Sequence, residues 1–376
     1  MADPDDLPEP DRLPGAPHPR DASQVFGQDE AEAAFLDAYN ADRLHSGWLL
    51  TGRKGIGKAT LAYRIAAFLV SRPPEAGDGL FGAPPPPASL DVAEDDPDLR
   101  LIRAGAHPRL CIVRRTRTDR SDRLSDQIRA EDILALKKFF QLSAADGGHR
   151  VVIVDAADEM NPTAANGILK ELEEPPARTT LLLIAHQPSR LLPTIRSRCR
   201  TLRLSPLGAT DISNVLDSVG QAHDAADALT VLADGSAGSA LRLLREDGLP
   251  LYATLVELFS GLPTMDRPTA LKIAEACAGK GAEHRFPLTL DLIDTFLSRT
   301  ARAGLHGEPA AQGAPGEARL LSRLAPDDRA ARAWADLQQD VSRRARAGRA
   351  VNLDAAALIL DTLMRIEATA RAVVPA

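Results

Sequence analysis

Three groups of residues in this chain have the types and spacing needed to handle a nucleotide phosphate. The first is TGRKGIGKAT, Thr51 to Thr60. Gly52, Gly55, Gly57 and Lys58 fit the frame G-x-x-x-x-G-K, with Arg53, Lys54 and Ile56 filling the loop. Glycines at these places let backbone N–H groups point into one concavity that takes phosphate oxygens at the positive end of the following helix, and the lysine reaches the outer phosphates. Ala59 departs from the frame, because a Ser or Thr hydroxyl there supplies an oxygen to magnesium. Thr60 comes one residue late, about 100° round a helix, and is not a direct substitute. The loop therefore predicts a site for ATP or ADP in which magnesium is held weakly, and leaves open whether the site is filled.

The second group is RVVIVDAADEM, an apolar strand ending in an acid. Asp155 is placed to hold magnesium, directly or through water. P-loop ATPases of this type carry a water-polarising glutamate at the next position, which here is Ala156. Asp158 and Glu159 follow, and are expected to turn into the cap of the next helix, which Asn161 can cap with Pro162 in its first turn. The third group is TIRSRCRTLRL, which sets Arg198 between Ser197 and Cys199. A guanidinium can bind phosphate oxygens in bidentate fashion. An arginine on a solvated edge, like Arg196, Arg200 and Arg203, does not, and the sequence alone does not separate the two.

Together with LKELEEPP, Leu169 to Pro176, these motifs resemble the clamp-loader branch of the AAA+ ATPases. The glycine loop, the acidic strand, the LEEPP segment and the Ser-Arg-Cys triplet occur in that family's order and spacing. The resemblance covers residues from about Phe26 to Leu244 by motif and the helical remainder by architecture only. In this family the triplet arginine reaches across a subunit boundary to the γ-phosphate held by the neighbour. Arg198 is thus expected to be an arginine finger in trans, a role worth about 10³ to 10⁵ in rate in phosphoryl-transfer systems. A G-S-x-R stretch in the family's lid offers an arginine to the subunit's own nucleotide; GSAGSALRLL has Gly238 in its place, with Arg242 one turn later.

Ala59, Ala156 and Gly238 weaken hydrolysis by the chain itself, while Arg198 is kept. By resemblance this implies a hydrolysis-deficient subunit of the bacterial DNA polymerase III clamp loader, a heteropentamer. Its partners would be delta and three gamma or tau ATPase subunits, and through the complex the beta sliding clamp and primed DNA. Its own ATPase would be absent or very weak, and an enzyme class would come only from the polymerase holoenzyme. Two alternatives stay open here: an active AAA+ motor in which Thr60 and Asp158 or Glu159 replace the missing groups, and a nucleotide-free scaffold. The family commonly carries a cysteine-ligated zinc module after the P-loop helix. Residues 71 to 110 hold no cysteine, so no zinc is expected.

These residues need a strand, a loop and a helix in that order to position them. GWLLTG reads as a short apolar strand and ATLAYRIAAFLV as an amphipathic helix with Leu61, Ile65, Phe68 and Leu69 inward. Before them, QDEAEAAFLDAYNADRL puts Ala31, Phe35, Leu36 and Tyr39 on one helical face. DQIRAEDILALKKFF (helix), RVVIVD (strand), NPTAANGILKELEE (helix) and TTLLLIAH (strand) continue the alternation, which implies a parallel sheet flanked by helices. The expected fold is an α/β AAA+ P-loop nucleotide domain of the RecA-like type over 23–207. A small helical lid domain over 208–265 and an all-α C-terminal collar domain for oligomerisation over 266–376 follow it. Residues 1–22 are acidic and proline-rich and read as a disordered tail; 71–98 read as a proline-rich surface insertion in place of the zinc module.

Composition excludes several function classes. The 376 residues suit two or three domains, and 44% hydrophobic with 26% charged residues is ordinary for a globular protein. A formal charge of -7 repels phosphate backbones, so DNA contact by the single subunit is expected to be weak and local. The arginines from Arg114 to Arg129 are interrupted by Asp119, Asp122 and Asp126 and read as a solvated loop. Cys111, Cys199 and Cys277 lie far apart, which argues against a disulfide framework and fits a reducing cytoplasm. Cys199 reads as structural, and His107, His149 and His186 have no metal-ligand spacing and are assigned no chemistry. No apolar run reaches the ~20 residues of a membrane span, and the first residues are the reverse of a signal peptide, so a cytoplasmic protein without membrane contact is expected.

Overall fold

The computed structural model describes residues 9–13, 16–72, 85–118, 121–141, 147–279, 282, 284–350 and 353–373. The chain forms two compact units, residues 1–219 with 236–238, and residues 220–235 with 239–376.

In the first unit, α1 (Asp29–Asn40), β1 (Gly47–Thr51) and α2 (Lys58–Val70) are followed by α3 (Pro97–Arg103) and β2 (Leu110–Arg114). A small antiparallel pair, β3 (Arg117–Thr118) and β4 (Ser121–Leu124), leads to α4 (Ala130–Gln141) and β5 (Arg150–Asp155). Next come α5 (Pro162–Glu173), β6 (Thr179–Ala185), α6 (Pro193–Arg196), β7 (Arg200–Arg203) and α7 (Ala209–Ser218). Five strands form one parallel sheet in the order β2-β5-β6-β1-β7.

Both faces of this sheet are covered, which is why its strands read as unbroken apolar runs. On one face Trp48, Leu50, Ile153 and Leu182 pack with Phe35 of α1 and with Leu61, Ile65 and Phe68 of α2. On the other, Leu49, Val152, Val154 and Leu183 pack with Ile133 and Leu136 of α4 and with Ile168 and Leu172 of α5. Each such side chain contributes about 1.5–3 kcal/mol by burial. Because every strand runs the same way, Thr51, Arg114, Asp155 and Ala185 end at one edge of the sheet, and Gly47, Thr179 and Arg200 begin at the other. Ligands of such sheets bind at the carboxyl edge.

The expected tail is not a tail over its described residues. Ala16 and His18 are buried, and Pro19–Asp21 form a 3-10 turn. Arg114, the last residue of β2, holds Glu9 at 2.8 Å and also pairs with Asp11, and the His18 ring meets Tyr63 edge-on with centroids 5.4 Å apart. A fixed cation at the strand end compensates for the poor apolar content of the segment. In the proline-rich insertion, residues 73–84 lie outside the described residues. Leu90 beyond them is 1% exposed and joins the core, Asp91 pairs with Arg64 at 2.9 Å, and Asp96 caps α3.

The second unit consists, among the described residues, of helices. These are α8 (Ala226–Ala233), the part of α9 (Ala237–Arg245) beyond Gly238, α10 (Gly248–Ser260), α11 (Arg267–Glu275), α12 (Arg285–His306), α13 (Glu317–Leu324), α14 (Asp328–Ala350) and α15 (Ala355–Val373). Its core is pinned by a carboxylate with no exposure, Glu317, which accepts from Arg299 at 2.7 Å and from the Tyr252 hydroxyl. Among the described residues, no helix is long and apolar enough to cross a membrane.

Candidate functional site

The glycine loop joins β1 to α2 at the carboxyl edge. Gly55 at φ +79° and Gly57 at φ +99° adopt left-handed backbone that other residues avoid, which gives the loop its concave form. Gln28, 3% exposed at the start of α1, holds the loop from behind. Its Nε2 donates to the Ile56 carbonyl at 3.1 Å and to the Ser205 carbonyl at 2.9 Å, and its Oε1 accepts from the Ser205 N–H at 3.0 Å. Sequence reasoning placed Gln28 only at a helix start.

Lys58 opens α2 and is 3% exposed. Its ammonium donates to the Gly52 carbonyl at 2.7 Å and to the Arg53 carbonyl. Burial pulls its pKa down to about 8, against the raising effect of Asp155 and Asp158. Arg53 and Lys54 are exposed, and Ala59 packs at the margin of the core. Nothing at that position can ligate a metal. Thr60 is partly buried.

Asp155 closes the acid side. It is 9% exposed, and burial, with Asp11 adding to it, pushes its carboxyl up to about 7, while Lys58 acts to lower it. Ala156 is buried and carries no acid. Asp158 does not cap α5 as expected: its oxygens accept the N–H groups of His186 at 3.0 Å and Gln187 at 2.8 Å, just after β6. Glu159 pairs with Arg115 at 2.8 Å. Asn161 alone takes the cap, accepting from Ala164 N–H at 2.8 Å, with Pro162 behind it. His186 was assigned no chemistry, yet it stands in this group. Burial first and Lys58 second hold its pKa down to about 4, so it is a neutral imidazole at pH 7. No motif marks it; only the end of β6 beside Asp155 does.

Of the glycine-serine stretch, Ser236 to Gly238 belong to the same unit as the loop. Ser236 Oγ donates to the Lys54 carbonyl at 2.8 Å and Gly238 N–H to the Gly55 carbonyl at 3.0 Å. The fit is close enough that a Cβ on Gly238 would lie 3.0 Å from the Gly55 Cα and 3.1 Å from Leu13 Cδ1. Arg242, in the second unit, is held by Asp291 at 2.7 Å and by Glu246 at 3.1 Å. On these residues the site fits a phosphate on its loop side and fits magnesium poorly on its acid side.

Arg198 is elsewhere. It precedes β7, at the amino edge of the sheet, and its carbonyl lies beside Gly47 at the start of β1. Its Nη2 pairs with Glu173 Oε1 at 2.7 Å and its Nη1 donates to the Thr194 carbonyl at 2.9 Å, with the side chain 35% exposed. Cys199 packs against the same Gly47, and burial pushes its thiol up to about 12, the behaviour of a packing residue rather than a nucleophile.

Residues 27–208 match the family model described as DNA polymerase III, delta subunit. The DNA polymerase III subunit delta' of Pseudomonas aeruginosa is 36% identical over 215 residues, 57% of this chain and 60% of that one. That of Bacillus subtilis is 37% identical over 166 residues, 44% of each chain. Over this region the chain is similar to DNA polymerase III delta-prime subunits. The chain is also 27% identical over 292 residues to DNA polymerase III subunit tau of Salmonella typhimurium, 75% of this chain and 41% of tau. It thus spans 60% or less of the length of these relatives. The family-model match contains the glycine loop, Asp155 and Arg198 and ends before Gly238.

Proposed function

We propose that this chain is a subunit of a DNA polymerase III clamp loader that lends Arg198 to the nucleotide of a neighbouring subunit and does not hydrolyse ATP at its own loop. The observation that carries this reading is the separation of Arg198 from that loop. The loop follows Thr51, whereas Arg198 sits at the other end of the same strand, beside Gly47. Five residues of strand span about 16 Å, so an arginine tied to Glu173 at the amino edge does not serve its own carboxyl-edge site. The chemistry that an arginine offers a phosphoryl group is then available only to another molecule. The same geometry disfavours a motor: Asp158 and Glu159 are engaged by backbone N–H groups and by Arg115, and neither stands free as a base. ATP or ADP with weakly held magnesium remains compatible with the loop.

The proposed partners are gamma or tau ATPase subunits and delta in a heteropentamer, with the beta sliding clamp and primed DNA reached through the complex, in the cytoplasm; the likeness to delta-prime and tau subunits supports this reading. The test has two arms. The purified chain, given magnesium, ATP and primed DNA, is expected to show no turnover; turnover abolished by Lys58→Ala would make it a motor. In the reconstituted complex, Arg198→Ala is expected to lower the rate at the served site by about 10³ or more. Total DNA- and clamp-stimulated hydrolysis falls with it, and assembly on gel filtration stays intact. An unchanged rate removes Arg198 from the mechanism.

A further inference from the structure

The LEEPP segment and the Ser-Arg-Cys triplet lie on separate elements, and nothing in their sequences joins them. In the fold they meet. Glu173, the last residue of α5, receives the Arg198 guanidinium at 2.7 Å, and the Thr194 carbonyl at the start of α6 receives its other Nη at 2.9 Å. The backbone beneath is seated as closely. A Cβ on Gly47 would lie 3.0 Å from Leu172 Cδ2, 3.1 Å from the Arg198 carbonyl and 3.3 Å from Cys199 Sγ. Leu172 itself is 4% exposed and packs in the sheet core, so the end of α5 is a fixed post rather than a loose turn. The long arginine side chain is thereby anchored at its base by Gly47 and at its head by Glu173.

We infer that Glu173 is a positioning residue that holds the Arg198 guanidinium in the orientation presented to a neighbouring subunit's nucleotide; this rests on the function proposed above. Stability does not account for the pair, since the two side chains are 35% and 48% exposed and an ion pair so solvated adds little to folding. Orientation does. A free arginine side chain samples many rotamers, and each one lost in advance is entropy that the transition state need not supply. Of the five N–H donors of a guanidinium, Glu173 and Thr194 engage two, which leaves a face able to meet phosphoryl oxygens. A carboxylate is the suitable post because it binds the guanidinium by charge without removing that charge.

The experiment uses the complete reconstituted complex, with ATP, primed DNA and the beta clamp. It compares Glu173→Ala, Glu173→Gln, Arg198→Ala and the Glu173→Ala/Arg198→Ala double variant. The quantity read is the Arg198-dependent part of the stimulated rate, meaning the part that Arg198→Ala abolishes. Glu173→Ala is expected to lower its kcat about tenfold, or 1.4 kcal/mol, with little change in KM for ATP. Glu173→Gln, which keeps an acceptor oxygen, should recover part of the loss. The double variant should be no slower than Arg198→Ala alone, because both changes remove one function. Thermal melts of each chain check that folding is kept. A rate unchanged or raised in Glu173→Ala, or losses that multiply in the double variant, would overturn the inference while leaving the role of Arg198 intact. An Arg198→Ala complex as fast as the parent would instead sink the function on which it rests.

Discussion

Replacing Gly238 by alanine sets two effects of opposite sign against each other. Helix propensity alone favours the change by about 1 kcal/mol. The added Cβ, however, would lie 3.0 Å from the Cα of Gly55 and 3.1 Å from Cδ1 of Leu13. Leu13 can turn to another rotamer. Gly55 cannot yield so easily, since it sits at φ +79° and its carbonyl accepts the Gly238 N–H at 3.0 Å. Relieving the contact stretches the hydrogen bond that fixes the loop. Overpacking of this kind costs about 1–3 kcal/mol, and loss of the hydrogen bond adds about 1 kcal/mol. The expected net result for Gly238→Ala is a loss of about 1–3 kcal/mol. Gly238→Arg, which would put back the lid arginine of the family, should cost at least as much and yield no turnover. The assay is urea unfolding followed by Trp48 fluorescence in a Trp334→Phe background, so that of the chain's two tryptophans only the one in the first unit reports. A Gly238→Ala chain about 1 kcal/mol more stable than its parent would refute the packing argument, because propensity would then have won. An ATP-hydrolysing Gly238→Arg chain would refute the claim that the loop is closed to that arginine.

Arg114→Ala should cost about 2–4 kcal/mol and open the N-terminal segment to protease; it leaves Asp11, whose side chain is 1% exposed, with the His18 ring at 3.2 Å but without the guanidinium, and partial exposure of Arg114 keeps the loss below that of a fully buried pair. Continued protease resistance would mean that the N-terminal segment is held by something else. His149 gives a pH dependence of known sign: burial, aided by Arg178 and Arg109, holds its pKa down to about 4, against an ordinary 6.5. Below 6.5 the unfolded chain binds a proton that the folded chain refuses, so about 3 kcal/mol of stability should drain away between pH 6.5 and 4. His149→Gln should flatten that limb in urea titrations across the range, and a variant with the parent's slope would show that the acid loss lies in other groups.

The sheet was legible because RVVIVD and TTLLLIA are buried on both faces and so carry no polar interruption. The loop was legible because its glycines mark backbone that few other residues adopt. What stayed hidden depends on partners remote in the chain. Gln28 joins the loop to Ser205, 177 positions on, through an amide that has no motif. The segment from Glu9 has the composition of a tail, and Arg114, about a hundred positions later, gives Glu9 and Asp11 a partner that local sequence does not announce. Asp158 and Glu159 have the local look of cap residues. Asn161 outcompetes them from the true Ncap position, and the N–H groups after β6 and the Arg115 guanidinium take the two acids instead.

The unequal treatment of the two sheet edges has a physical consequence for how easily each can change. At the carboxyl edge, the proposed lack of hydrolysis rests on several features: no hydroxyl at Ala59, no acid at Ala156, and a Gly238 packed closely against the glycine loop. Restoring one of them leaves the others in force. At the amino edge, the proposed device consists of Arg198 and the carboxylate that holds it. The parallel sheet keeps the two edges a full strand length apart, so groups at the nucleotide edge can be lost without moving Arg198. If the proposed function holds, such a subunit is difficult to convert into a motor by single substitutions, whereas a single substitution at Arg198 is enough to silence its contribution to a neighbour.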